Sequence, residues 1–95
     1  MRDALKELWH VYAEHNETLR LLRYASGKGV DASRGEAGNL LNMYTKLYTK
    51  SLNLYGEGRY VESRVYAHLS IEVLYGVRDI VTHMLAALAG SSRGR

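Results

Sequence analysis

The hexapeptide Arg78-Asp79-Ile80-Val81-Thr82-His83 holds the residue types best suited to chemistry on a phosphate. A guanidinium pairs with phosphate oxygens through parallel hydrogen bonds, and an imidazole titrates near neutral pH and can pass a proton. On one helix the two would not converge. Five residues at about 100° each leave Arg78 and His83 about 140° apart around the axis, so a kink or a second protomer would have to bring them together. The remaining histidines suggest less. His68 and Glu72, like Asp79 and His83, stand four apart, a spacing that stabilises a helix. Two ligands do not make a metal site, and no metal or other cofactor is expected. His10 follows Trp9, and His15 occupies a half-buried position. Gly27-Lys28-Gly29 lacks the remainder of a phosphate-binding loop and reads as a turn.

The elements that position these residues are helices. The chain has 95 residues, room for one domain (residues 1–90) and a short tail (91–95) expected to be disordered. It contains no proline, the strongest helix breaker, and eight tyrosines with no phenylalanine. Tyrosine rings suit the boundary between core and water, where the hydroxyl finds a partner; exposed beside cations they would also suit base stacking. Apolar periodicity predicts three helices, over about 3–25, 34–55 and 59–89. The first has a seam of Leu5, Leu8, Tyr12, His15, Leu19 and Leu22, and Gly27 or Gly29 ends it. The second opens on Ser33-Arg34-Gly35-Glu36, which reads as a capping box, and closes at Gly56-Glu57-Gly58. So short a break turns the third helix back on the second. That helix carries one stripe from Val61 through Val65, Leu69, Val73 and Val77 to Leu88, and a second of Leu74, Val81 and Leu85. Gly76 suggests close approach of a neighbouring backbone. The expected architecture is all-α: an antiparallel up-down-up three-helix bundle with a long, central third helix. That helix outruns its partners, so Val81, Met84, Leu85 and Leu88 are candidates for an oligomer interface, with a homodimer expected.

This topology sorts the charge. The net charge is +3, and one end of the bundle holds seven basic residues against three acidic ones. Arg20, Arg23, Lys28, Arg34 and Arg78 are there the candidates for binding an anion or RNA, close to the free amides that open the second helix. The same cations also complement helix C-termini. No cysteine is present, which fits a reducing interior. The Met1-Arg2-Asp3 start enters amphipathic sequence directly, and no continuous apolar run approaches the roughly 20 residues of a membrane span. A cytoplasmic location without membrane contact is expected, and no small-molecule substrate is evident.

Two resemblances follow. The arginine–polar–three residues–histidine pattern resembles the signature of the HEPN ribonucleases, in which arginine and histidine of two protomers cleave RNA in a dimer groove. The resemblance implies phosphate stabilisation by Arg78 and proton transfer by His83. That family's motif precedes a further full helix, whereas here the chain ends within about a dozen residues. The run Leu41-Asn42-Met43-Tyr44, Leu47-Tyr48 and Gly56-Glu57-Gly58-Arg59-Tyr60 resembles a small archaeal helical-bundle family, domain of unknown function 357, from about Leu40 to Ile80. The departure is at Tyr75-Gly76-Val77, where that family tends to an Asp-Ala-Gly run. This resemblance implies a bundle fold and an archaeal source, and no activity. The reading as a whole is a non-enzymatic helical interaction module that self-associates and binds a protein or RNA. The alternatives are a HEPN-like ribonuclease and an accessory protein of a ribonucleoprotein particle.

Overall fold

A computed structural model describes residues 2–93, with side chains to Gly90. Three helices, α1 (Arg2–Gly27), α2 (Gly35–Gly56) and α3 (Tyr60–Arg93), make up the described chain, which contains no strand. They form a slab of 57 × 20 × 16 Å in which α3 packs closely against both α1 and α2. The backbones of α1 and α2 approach each other much less, and their long side chains bridge the gap.

Small residues set this asymmetry. The buried positions of α1 are Ala4, Val11, Thr18 and Ala25, each seven after the last. Ala37, Tyr44 and Ser51 of α2 share that period, as do Ser63, Ser70 and Val77 of α3, with Ala67, Leu74 and Val81 beside them. A seven-residue repeat keeps one seam facing its partner along the whole helix, and short side chains along it let backbones come close. At positions 51 and 63 the Ser51 hydroxyl donates to the Ser63 carbonyl at 2.7 Å, and the Ser63 hydroxyl donates to the Ser51 carbonyl at 2.8 Å. Each buried hydroxyl thus has its partner. A methyl group on Gly76 would lie 3.3 Å from the Leu40 side chain, so the neighbour there is a side chain and not the backbone that was expected. The larger apolar residues gather in two clusters. One holds Val11, Tyr44, Ala67, Ile71 and Leu74; the other holds Ala25, Val30, Ala37, Val77 and Val81.

Both turns end their helices in the same way. The Val30 amide donates to the Ala25 carbonyl (2.9 Å) and the Gly29 amide to the Ser26 carbonyl (3.1 Å), with Gly29 left-handed at φ 88°. The pattern repeats after α2, with Arg59 to Leu54, Gly58 to Tyr55, and Gly58 at φ 80°. These are Schellman caps, which favour glycine at the left-handed position. The start of α2 differs from expectation, because no capping box forms. Arg34 is the N-cap, without a side-chain cap bond. The Asp31 carboxylate takes both the Ser33 amide (2.9 Å) and the Ser33 hydroxyl (2.6 Å). The Ser33 amide that the Glu36 carboxylate was to bond is thereby occupied, and these bonds hold the Asp31 carboxyl below its ordinary value.

Two expected stripes are displaced. The seam of α1 lies one position round from the Leu5–Leu22 stripe, which forms its flank. On α3, Val61 is 79% exposed and Val65 and Leu69 are also exposed, while Ser63, Ala67 and Ser70 take the core. The helix as described runs to Arg93, past the expected end at Ala89. The expected disorder of the last two residues, Gly94 and Arg95, lies outside the described residues. By length and composition Tyr60–Gly90 could cross a membrane, an 18-residue window within it reaching a mean hydropathy of 1.2.

Candidate interaction surface

The residues suited to phosphate chemistry do not converge. Arg78 turns inward, where its guanidinium pairs with Glu14 of α1 and lies 4.9 Å over the Tyr75 ring. Its Nε is buried without a hydrogen-bond partner. Burial raises the Tyr75 hydroxyl above its ordinary pKa, with neighbouring Glu14 acting in the same direction. His83 and Asp79 are exposed on a different part of α3 and form no ion pair among the described residues. The pairing with Glu14 also places Arg78 beside the middle of α1 rather than at the basic end.

At that end most cations already face a carboxylate or a ring. Arg20 pairs with Glu17 at 3.2 Å and Arg34 with Asp31 at 3.7 Å, both well exposed. Lys28 stands 5.6 Å over the Tyr24 ring. Arg23 is exposed and forms no ion pair among the described residues. Such surface pairs contribute little to stability, but they lower the local positive field.

The histidines serve the helices. His68 and Glu72 approach to 3.5 Å and His10 and Glu7 to 3.2 Å, both within one helical turn. His15 is half-buried: its Nδ1 shares a 2.8 Å hydrogen bond with the Tyr44 hydroxyl, and its ring stacks on Tyr44. Tyr44 stacks in turn on Tyr48. Burial pushes the Tyr44 hydroxyl up to about 12, with Tyr48 adding to the shift. Among the described residues no group of three or more His, Cys, Asp or Glu stands ready to hold a metal ion.

The expected oligomer interface is corrected in part. Val81 is fully buried within this chain, packed with Ala25, Val30, Ala37 and Val77, and cannot contact a second copy. Met84 and Leu88 remain exposed, and Leu85 packs partly on the same cluster.

Sequence reasoning missed the larger uncovered surface, between α1 and α2 on the side away from α3. Leu5, Leu8, Trp9, Tyr12 and Tyr48 line an open groove there of about 450 Å³. Trp9 is 65% exposed and Tyr12 55%, with their rings edge to face at 5.9 Å. Leu52, one turn from Tyr48, is 44% exposed. By helical period the groove takes positions 5, 8, 12, 15, 19 and 22 of α1 and 41, 45, 48 and 52 of α2. None of these is Asp, Glu, Lys or Arg, although 24% of the chain is charged; the neighbouring column of Trp9 adds Asn16 and, at the two ends of α1, Arg2 and Arg23. Depletion of charge together with exposed aromatic rings characterises the centre of a protein interface. A second exposed apolar strip, Val61, Val65 and Leu69, is interrupted by Glu7, Arg64 and His68. The signal for the first surface is the Leu5–Leu22 seam, whose period alone does not say which of its flanks is buried.

No protein-family model, no curated protein and no solved structure matches the chain.

Proposed function

We propose that this chain is a non-enzymatic helical interaction module of the cytoplasm that presents the α1–α2 surface to a partner. One observation carries the reading: a two-helix face whose centre holds no formal charge, bearing Trp9 and Tyr12 largely open to solvent, with Arg2 and Arg23 at the ends of the Trp9 column. Large exposed rings on a face with an uncharged centre bind by apolar burial, which suits a protein partner better than a phosphate backbone. The run of neighbours supports the up-down-up arrangement within which this face forms. Position 51 of α2 meets 63 of α3, and 40 meets 76, so one number falls as the other rises. Arg64 lies near Asp3 and Arg78 near Glu14, so along α1 and α3 both rise together. The resemblance to domain of unknown function 357 agrees with a bundle and adds no activity.

The test is capture from a cell extract by the wild-type chain and by Tyr12→Lys. A protein retained by the first and lost by the second supports the module; equal retention by both refutes it. The RNA alternatives are separated by incubation with a labelled structured RNA, following anisotropy and fragment length at low and physiological salt. Binding that weakens steeply with salt favours a ribonucleoprotein accessory role. Cleavage abolished by His83→Ala favours the HEPN-like reaction, which would need Arg78 to leave Glu14.

A further inference from the structure

We infer that the occupant of the α1–α2 surface is a second copy of this chain, packed about a twofold axis so that two α1–α2 layers close a four-helix core with the α3 helices outside. The inference rests on the interaction-module reading and names the partner.

Three observations point to self-association through this face. The first is charge. The chain mixes 13 basic with 10 acidic side chains. The central groove positions of both helices hold no formal charge, and Arg2 and Arg23 stand at the ends of the Trp9 column. A twofold interface apposes the same patch to itself, and the centre of this patch can meet its copy without repulsion.

The second is area. The groove positions run from 5 to 22 on α1, or about 26 Å at 1.5 Å per residue, and two helices make the face about 20 Å wide. The footprint is therefore on the order of 500 Å². That is about two thirds of the roughly 800 Å² each partner contributes to a standard stable interface. The exposed end of α3, with Met84 and Leu88, is a single helix and offers much less.

The third is period. Leu5, Tyr12 and Leu19 repeat every seven residues, in register with the buried Ala4, Val11 and Thr18 beside them. A face with that repeat is filled best by helices of the same repeat. Tyr48 and Tyr55 of α2 have it as well. Two such layers supply each other with matching ridges and hollows, and Thr45, Thr49 and Asn16 give the junction polar groups at its margin.

Trp9 is the only tryptophan and lies on this face, so it reports directly on its burial. The experiment follows the full chain by sedimentation velocity and tryptophan emission across a dilution series from high to low micromolar concentration. The expected result is a dimer mass with blue-shifted emission at high concentration, both reverting together on dilution. Tyr12→Lys and, separately, Leu52→Lys should each raise the dimer dissociation constant about a hundredfold or more. A central aromatic is worth about tenfold or more per copy, and symmetry applies each change twice. Both positions are exposed in the monomer, so helical circular dichroism should be unchanged. Val65→Lys should leave the dimer intact. A monomer mass at every concentration overturns the inference, as does a dimer lost with Val65→Lys but kept with Tyr12→Lys. A blue shift that appears only on adding anionic lipid vesicles to a monomer also overturns it. In each of these cases the module reading still stands or falls on its own capture experiment, which does not require a second copy.

Discussion

Tyr44 should make this fold sensitive to alkali, and the size of the effect follows from its surroundings. Its ring is buried between His15 and Tyr48, and its hydroxyl is pushed up to about 12 from an ordinary value of 10.0. The neutral phenol is the form the folded chain holds, whereas the unfolded chain releases the proton two units earlier. Stability linked to this group is therefore fully present below pH 10, and it is lost as pH rises from 10 to 12. Two units amount to about 2.7 kcal/mol at the limit, of which about 2.3 kcal/mol is lost by pH 12. For a chain this short, with total stability on the order of 5–10 kcal/mol, that is a large fraction.

Seven other tyrosines would obscure the effect, so the comparison is with Tyr44→Phe. That variant keeps the ring and its stacking but loses the hydrogen bond to His15, which costs about 1 kcal/mol near pH 8. The measurement is urea unfolding of both proteins, followed by circular dichroism, at half-unit steps from pH 8 to 12.5. Wild type should be the more stable below pH 10. The curves should cross near pH 11, and the variant should be ahead by about 1–1.5 kcal/mol at pH 12. A difference that stays constant across the range would refute the argument, because it would mean that Tyr44 ionises equally easily in both states.

Three further changes test the packing. Gly38→Ala should destabilise by about 1–3 kcal/mol in thermal melts despite alanine's better helix propensity, since its methyl would lie 2.4 Å from the Ser33 carbonyl oxygen and the backbone there must move. Glu14→Gln should cost about 2 kcal/mol by leaving the Arg78 guanidinium half-buried and unpaired, and Glu14→Leu combined with Arg78→Leu should recover most of that loss in the same denaturation assay. Ser51→Ala should cost about 1–2 kcal/mol, because the Ser51 hydroxyl bonds the Ser63 carbonyl at a site closed to water; Ser51→Val should cost more by forcing the helices apart.

The number of helices and the places where they break were legible because the signals are local. Each glycine-bearing break has a left-handed glycine where the chain must turn, at Gly29 and Gly58, and the apolar period between breaks has no rival interpretation. The capping box failed for a reason that also lies in the sequence. Asp31 stands two residues before Ser33, and an aspartate two residues upstream competes with Glu36 for the Ser33 amide in a turn. Which stripe is buried was less legible, because hydrophobicity ranks Leu5, Tyr12 and Leu19 above Ala4, Val11 and Thr18. Close approach of helices ranks them in the opposite order.

That inversion links the fold to the candidate surface. Where α1 and α3 or α2 and α3 run close, most seam positions are Ala, Ser, Thr, Val or Gly, with Tyr44 the large exception on α2, so many of the larger side chains are displaced to the flanks of each seam. On the α3 side some of that bulk finds cover: Ile71 and Leu74 enter the core, and Leu40 lies against Gly76. Between α1 and α2 it does not, because those two backbones stand apart and none of the described residues fills the far side of the gap. A helix evolving only for solubility would carry Glu or Lys there too, as α1 does on its opposite, solvent face at Lys6, Glu17 and Arg20. At positions 5, 12, 48 and 52 it carries leucine and tyrosine instead. The tight seam accounts for the displacement of bulk from the centre, and an occupant of the groove accounts for its remaining apolar.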